Sequence, residues 1–513
     1  MTLLTSLARA LAAESGRAVP IRAVRHVHVS DRPLVFVPLQ LAGEANAPLA
    51  ALLGDDRDAP HLLVVYEPRH RAQRFAWAAD VADIMLKYIE GYASPEPDGD
   101  APFADAPQLI LPNPGGVRFT QLLGRSTRFR RTEGEYAVRD NVPLVGRWLT
   151  FYSERIIAPA SALTLSLADV LADHWATGQS AAEDGNLAAQ LAWIDPPDGM
   201  TGAEAALLAE NPVHCPPAGP VTDPGFDNEI LADKIAAVRA AADGGAEAPY
   251  RARGAMARAL ETQLGPTWAL MWRAVDLLRA LPPGGHVEKR WERDRRAFTA
   301  HVRRLSEGGA PQPRRDGPVS AARRLAALES ELEQLAAQRA YDDPLVMAEH
   351  RMTGEAFAGT VTAAEPGRVD DSGKRKVLRP LITVATPDEV LIEPDAVLAS
   401  PERPRQSGRV LSVCPAAGGV TEVTLELKGG MGRGLAAPLG SVPALGESVT
   451  YTTLKDEFRR PPEFPPPEQT PWTHGGPLVP FRGDPPLHLP GGHPPDPRTP
   501  DLDADEIARE EWS

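Results

Sequence analysis

The spacing of apolar residues changes along the chain, and each spacing fits a different class of fold. Within residues 1–195, a continuous apolar run at 62–66 (LLVVY) is followed by helical spacing over 71–92 and by a second short apolar run at 108–111. Strand, helix and strand in this order predict a βαβ unit, and a strand without polar positions is typical of a parallel sheet covered on both faces. We therefore assign residues 1–195 to an α/β domain with a helical extension.

Shorter patterns complete this first domain. Alternating apolar residues predict strands at 24–29 and 34–41, and residues 48–53 are expected to form a short helix. Residues 180–183 read Ser-Ala-Ala-Glu, the spacing of a capping box. We therefore interpret the polar cluster that includes His174 as the start of a helix rather than as a catalytic set.

The middle of the chain is expected to be helical. Residues 196–227 are rich in Pro and Gly and predict a linker, whereas apolar residues recur at helical spacing throughout 228–350. Separate helices are expected at 250–264 and 268–281. Near the end of this region four leucines at 3, 4, 3 spacing predict a short heptad seam, suited to an intramolecular hairpin: Leu325, Leu328, Leu332 and Leu335.

Residues 351–456 contain short β-branched runs separated by Gly, Pro and Asp turns, a pattern that predicts a small β-barrel-like domain. Residues 457–513 are rich in proline and are expected to be disordered. Acidic residues near 501–513 either compete for a basic surface or, more simply, keep the protein soluble. The expected fold class is therefore multidomain, with α/β, all-α and small all-β parts.

Composition limits the kinds of partner. The chain has 513 residues, a formal net charge of −15, 43% hydrophobic and 24% charged residues, which is typical of a soluble globular protein. Such a negative charge disfavours attraction of the whole molecule to nucleic acid or anionic membrane, so any such binding must depend on a local patch.

Cysteine content and the apolar runs favour a cytoplasmic protein. Cys215 and Cys414 are the two cysteines of the chain, too few for a disulfide framework or a tetrahedral zinc site. The first 19 residues fit an amphipathic helix better than a signal peptide, and no apolar run is long enough to span a membrane. We therefore expect no membrane association, no metal and no cofactor.

One predicted helix, at 286–305, separates two chemistries on opposite faces. Val287, Trp291 and Phe298 fall on one side, while four basic residues cluster on the other: Lys289, Arg293, Arg296 and Arg303. Arg314 and Arg315 follow shortly afterwards. These six residues are the candidate nucleic-acid contacts, although pairing with Glu288, Glu292 and Asp294 would make the same face an ordinary solvated one.

The ends of the predicted parallel strands form a second candidate site. Glu67 and His70 follow the first strand, and Asn113, Gly115 and Gly116 follow the second. Ligands of open α/β sheets bind beyond the carboxyl ends of the strands. The NPGG loop lacks the Lys and Ser/Thr of a P-loop and the third glycine of a dinucleotide fingerprint, and a simple turn is the alternative interpretation.

The barrel region carries further cations. Lys374, Arg375, Lys376 and Arg379 lie at one junction of loop and strand, and the glycine-rich sequence KGGMGRG occupies 428–434. Phe357 and Tyr451 are the candidate exposed aromatics, too few for the stacking platform of a single-strand binder.

These patterns favour a non-enzymatic binding or accessory protein. It would contact nucleic acid, or a protein partner that handles nucleic acid, through the basic helix and the barrel. One alternative is an enzyme with a small-molecule or phosphate-ligand site at the strand ends of the first domain. Another is a structural scaffold in a larger assembly.

Overall fold

The computed structural model describes most of the chain, in these ranges: 3–44, 47–93, 99, 101–242, 247–313, 316–373, 375–457, 463 and 469. Almost all of the expected disordered segment at 457–513 lies outside the described residues, as do Lys374, Arg314 and Arg315.

A five-stranded mixed sheet forms the centre of the N-terminal region. Two short strands, β1 (Val19–Pro20) and β7 (Trp175–Ala176), pair beside it. Its own strands are β2 (Leu34–Gln40), β3 (Pro48–Gly54), β4 (His61–Val64), β5 (Leu109–Leu111) and β6 (Thr164–Ser166). The order is β4-β3-β2-β5-β6, with β2, β5 and β6 parallel and β3 antiparallel to both neighbours. The predicted α/β class is confirmed.

Three local predictions in this region were wrong. Residues 48–53 form strand β3 instead of a helix, because this segment is fully buried between two strands that satisfy its backbone. Strand β4 lies at the sheet edge and is partly exposed, so it is not covered on both faces. Residues 24–29 form no named strand; Arg25 makes one isolated bridge to Pro283.

Thirteen α-helices are present in the described chain: α1 (Leu3–Ser15), α2 (Arg71–Glu90), α3 (Pro114–Thr127), α4 (Asn141–Ile156), α5 (Leu167–His174), α6 (Leu187–Ile194), α7 (Gly202–Glu210), α8 (Pro224–Phe226), α9 (Ala232–Ala241), α10 (Glu247–Ala280), α11 (Val287–Ser306), α12 (Pro318–Asp342) and α13 (Pro344–Met352). One π-helical turn, Asp227–Leu231, joins α8 to α9. The capping box at Ser180 and Glu183 is also present and begins a short 3-10 turn.

Helix α10 joins two helices that the sequence separates. It runs for 34 residues with Pro266 inside it, and its apolar side, which includes Met256, Trp268 and Leu278, is buried. Pro266 and Thr262, four residues earlier, are exposed. Water can therefore bind the carbonyl that loses its helical donor, which limits the cost of the proline.

The helical region shares its core with the sheet. Buried residues of β2 and β3, of α10, and Trp291 and Phe298 of α11 belong to one continuous apolar cluster. The segment at 196–227 contains α7, α8 and a cis Gly219–Pro220 bond, and it packs against the same body. Of the heptad leucines, Leu325 and Leu332 are more than half exposed.

A closed six-stranded antiparallel barrel follows, as predicted. Beside a small hairpin of β9 (Val369–Asp370) and β10 (Val377–Leu378), its strands are β8 (Ala356–Glu365), β11 (Leu381–Thr386), β12 (Val397–Ala399), β13 (Ser407–Pro415), β14 (Thr421–Lys428) and β15 (Ser448–Thr452). Their order around the barrel is β11-β14-β13-β12-β15-β8. The barrel has its own core, separate from that of the sheet.

Strand β14 has the predicted alternation, with Val423, Leu425 and Leu427 buried in the barrel. Phe357 and Tyr451 are completely buried rather than exposed, because both belong to the barrel core. Neither ring can stack on a base. Among the described helices, none combines the length and the apolar character needed to cross a lipid bilayer.

Candidate functional site

The basic residues of α11 contact neighbouring groups of the protein. Lys289 Nζ donates to Asp456 Oδ2 at 2.9 Å, and Arg293 Nη1 donates to Gln334 Oε1 at 2.9 Å. Arg296 pairs with Glu292 at 2.6 Å, one helical turn away, and Arg303 donates to the carbonyl of Gly99. Lys289 and Arg296 therefore have carboxylate partners, and Arg293 and Arg303 donate to uncharged acceptors.

The other face of α11 holds the helix in place. Arg290 is 4% exposed and donates to Gln338 Oε1 and to the carbonyl of His26, and burial lowers its pKa to about 10. Asp294 accepts from Ser161 Oγ at 2.7 Å and from Ala162 N at 2.6 Å. Burial raises the pKa of Asp294 to about 6. Polar groups buried in this way are structural, since they depend on partners supplied by the fold.

The glycine loop at the end of β5 is covered by another part of the chain. Asn113 caps α3, because its Oδ1 accepts from Gly116 N at 3.0 Å, while its Nδ2 donates to the Gly219 carbonyl at 3.0 Å. A Cβ atom on Gly115 would lie 2.6 Å from Cδ of Pro220. The segment carrying the cis Gly219–Pro220 bond thus occupies the position that a ligand of these amides would need.

Glu67 and His70 lie at the end of β4, a different strand. Glu67 accepts from Gln73 Nε2 at 3.0 Å, and the exposed His70 precedes α2 without capping it. Strands β4 and β5 are separated by β3 and β2, so at ~4.8 Å per strand these residues lie ~14 Å to the side of Asn113. That separation exceeds the reach of a shared hydrogen bond, so the arrangement gives no support to joint acid-base chemistry.

A cleft of about 700 Å³ opens between the helices and the barrel. His286, before α11, and Tyr341, on α12, line its helical side. The barrel side consists of residues from β12, β13 and β14 and the loops beside them, and the chain returns through the cleft at 455–457. The helical region and the barrel therefore form this one surface together.

Basic side chains outnumber acidic ones in this cleft. The acidic lining residues are Glu426, Asp456 and Glu457, and the basic ones are His286, Arg379, Arg405, Arg409, Lys428 and Lys455. Arg409 pairs with Asp395 and Glu426. In the described part of the chain no carboxylate lies within salt-bridge distance of Arg405, Lys428 or Lys455.

Two glycines allow the segment after Lys428 to approach the loop that carries Arg405. Gly429 and Gly430 follow Lys428 with positive φ angles of 81° and 69°. A Cβ atom on Gly429 would lie 2.5 Å from the carbonyl oxygen of Arg405. The turn can therefore approach the loop that carries Arg405 only because residue 429 has no side chain.

Asp456 lines the cleft and connects the barrel to the helices. Its Oδ1 accepts from Gln334 Nε2 and Gln338 Nε2, each at 2.8 Å, while its Oδ2 contacts Lys289 at 2.9 Å and His286 Nε2 at 3.4 Å. Burial acts to raise the pKa of Asp456, but hydrogen bonds from His286, Lys289 and both glutamines lower it overall. Asp456 is therefore ionised at neutral pH.

His286 carries the matching positive charge. Its Nδ1 lies 2.6 Å from Asp342 Oδ1, and hydrogen bonds with Asp342 and Asp456 raise its pKa to about 9.

The sequence predicted only part of this cleft. Sequence reasoning missed His286, Arg405 and Lys455 because they are far apart in the chain, although it singled out Arg379 and the glycine-rich sequence that starts at Lys428. Among the described residues no group of His, Cys, Asp and Glu has the arrangement of a metal site.

Comparison of the chain with protein-family models, curated proteins and solved structures gave no match.

Proposed function

We propose that the protein is a non-enzymatic binding protein whose cleft holds the phosphate backbone of a nucleic-acid strand. The observation that carries this proposal is the convergence of Arg405, Lys428 and Lys455, three cations without a carboxylate partner in the described chain, on one cleft. Unneutralised cations on a concave surface are what phosphate groups require.

The volume and the lining of the cleft favour a single strand of nucleic acid as its ligand. A volume of about 700 Å³ is that of an ordinary ligand site and accommodates a short stretch of strand. Tyr341 is the aromatic residue that lines it, and its hydroxyl donates to the Leu454 carbonyl at 2.7 Å. Recognition would therefore depend on phosphate contacts and be largely independent of base sequence.

Compartment and partners belong to the same proposal. Cys215 and Cys414 are free thiols, in keeping with a reducing cytoplasm. A protein partner that handles the same nucleic acid remains part of this proposal.

Two matched pairs of substitutions test the location of the surface. Arg405→Ala with Lys428→Ala removes two cations from the cleft, and Arg296→Ala with Arg303→Ala removes two from the face of α11. Both pairs are made in a parent chain whose acidic residues at 501–513 are replaced by their amides, so that competition by this segment does not mask the effect. Binding of fluorescein-labelled oligo(dT) is followed by anisotropy between about 50 mM and about 200 mM salt. A thermal unfolding curve of each variant serves as the control that its fold is intact.

We expect the cleft pair to weaken binding on the order of tenfold and to reduce the salt slope by about 1.4, since each lost phosphate contact of a single strand accounts for about 0.7. The helix pair should bind like the parent chain. Equal loss in both pairs, or no loss in the cleft pair, would refute the assignment of binding to the cleft, and absence of binding at low salt would refute the proposed function. Polyglutamate that competes as well as DNA would show a general anion site.

A further inference from the structure

The continuously described part of the chain ends at residue 457, in the cleft. After β15, residues 455–457 line the cleft, and Lys455 is one of the cations without a carboxylate partner in the described chain. The sequence continues through 458–500 to the acidic segment, residues 501–513, which contains six carboxylates and one arginine. A connection of 43 residues is long enough, at up to ~3.3 Å per residue, to return this segment to the cleft.

The acidic segment matches the cleft in charge and in apolar character. Its carboxylates would face Arg405, Lys428 and Lys455. Apolar residues are spaced between the acids at Leu502, Ile507 and Trp512. The cleft offers an apolar surface as well, because Val397 lines it and is 43% exposed.

We propose that the acidic segment binds in the cleft of its own chain. The interaction surface is the cleft, and the partner is an acidic peptide with interspersed apolar residues. If the cleft also takes nucleic acid, the segment is a competitor; this last point rests on the proposed function, whereas binding of the segment itself does not.

Covalent connection makes even weak binding effective. A linker of this length gives an effective concentration on the order of 1 mM. If the free segment binds with a dissociation constant on the order of 100 µM, the cleft is occupied in about nine-tenths of the molecules, and apparent nucleic-acid affinity falls about tenfold.

The first experiment measures binding of the segment without nucleic acid. The protein is the full chain with a neutralised segment, carrying Asp501→Asn, Asp503→Asn, Asp505→Asn, Glu506→Gln, Glu510→Gln and Glu511→Gln. A fluorescein-labelled peptide of residues 501–513 should bind it at low salt, and addition of Arg405→Ala with Lys428→Ala should abolish this binding. A peptide with the six neutral residues is the control. No binding of the acidic peptide, or binding that survives the cleft substitutions, would overturn the proposal.

The second experiment measures competition. The chain with the neutralised segment should bind oligo(dT) about tenfold more tightly than the native chain at low salt, with a steeper salt dependence, because salt also releases the native segment. Equal affinity of the two chains for oligo(dT) would overturn the competition. If the peptide binds and neither chain binds oligo(dT), the proposed function fails while docking of the segment stands.

Discussion

Removal of the Asp456 carboxylate should weaken the junction between the barrel and the helices. In Asp456→Ala, the amides of Gln334 and Gln338 lose an acceptor, at about 1 kcal/mol each for partly or fully buried donors. The contacts with Lys289 and His286 contribute about 1 kcal/mol together, since both cations are partly exposed. The expected loss of unfolding free energy is therefore about 3 kcal/mol.

The geometry at Asp456 provides an internal control. Both glutamines bind Oδ1, whereas Lys289 and His286 bind Oδ2. Asp456→Asn keeps an oxygen for the two amides and removes the charge, so we expect a loss of about 1 kcal/mol. The two variants thus separate the hydrogen bonds from the ion pairs.

Urea unfolding followed by tryptophan fluorescence measures these differences, because Trp291 lies on the helix that carries Lys289. An Asp456→Ala protein within about 0.5 kcal/mol of the native one would show that the junction does not depend on this carboxylate. If Asp456→Asn loses as much as Asp456→Ala, the charge rather than the amide hydrogen bonds stabilises the junction, and the reasoning about Oδ1 is refuted.

Three further changes have defined outcomes. The carboxylate partners of His286 raise its pKa from 6.5 to about 9, so the charged imidazole stabilises the fold fully below pH 6.5 and this stabilisation is lost as the pH rises through 9. The stabilisation has a ceiling of about 3 kcal/mol. In urea titrations, His286→Gln should therefore be less stable than the native protein near neutral pH and equal to it above about pH 10. Gly146→Ala would place a Cβ atom 2.3 Å from Arg128 N where α3 and α4 cross, and should lose about 3 kcal/mol in urea unfolding. The control is Gly254→Ala on α10, where the Cβ atom would lie 3.4 Å from the end of the flexible Arg258 side chain, and it should be neutral or slightly stabilising. The hydroxyl of Tyr451 is buried without a hydrogen-bond partner in the described chain, so Tyr451→Phe should raise the melting temperature or leave it unchanged, and a clear decrease would reveal a missed partner.

Periodicity over many residues allowed the sequence to predict much of the fold. Helix α11 was predicted at 286–305 and lies at Val287–Ser306. An apolar pattern repeated over five turns can be recognised in the sequence without knowledge of distant contacts. The alternation in β14 was equally local. These two elements belong to the helical region and to the barrel, and the character of both regions was predicted from such local patterns.

The wrong predictions occur where tertiary contacts override local preference. The alanines and leucines at 48–53 favour a helix, but two flanking strands pair with the segment and bury it. Separate helices were predicted at 250–264 and 268–281, on either side of Gly265 and Pro266, yet packing of the residues on both sides keeps α10 continuous. Pairing with strands and burial of a long apolar side are not visible in a short window of sequence.

The same distinction explains why the cationic cleft was hard to find. A dense run of basic residues attracts attention, but on α11 Glu292 lies one turn from Arg296, and Asp456, 167 residues away, reaches Lys289. Positive charge remains available where the fold brings cations to one surface and leaves them beyond salt-bridge distance of its carboxylates, as for Arg405, Lys428 and Lys455 in the described chain. Arg405 and Lys428 line the same cleft, and Gly429 lets the backbone after Lys428 approach the loop that carries Arg405. Neutralisation, more than the number of cations, determines which surface can bind an anion, and it depends on contacts that only the folded chain makes.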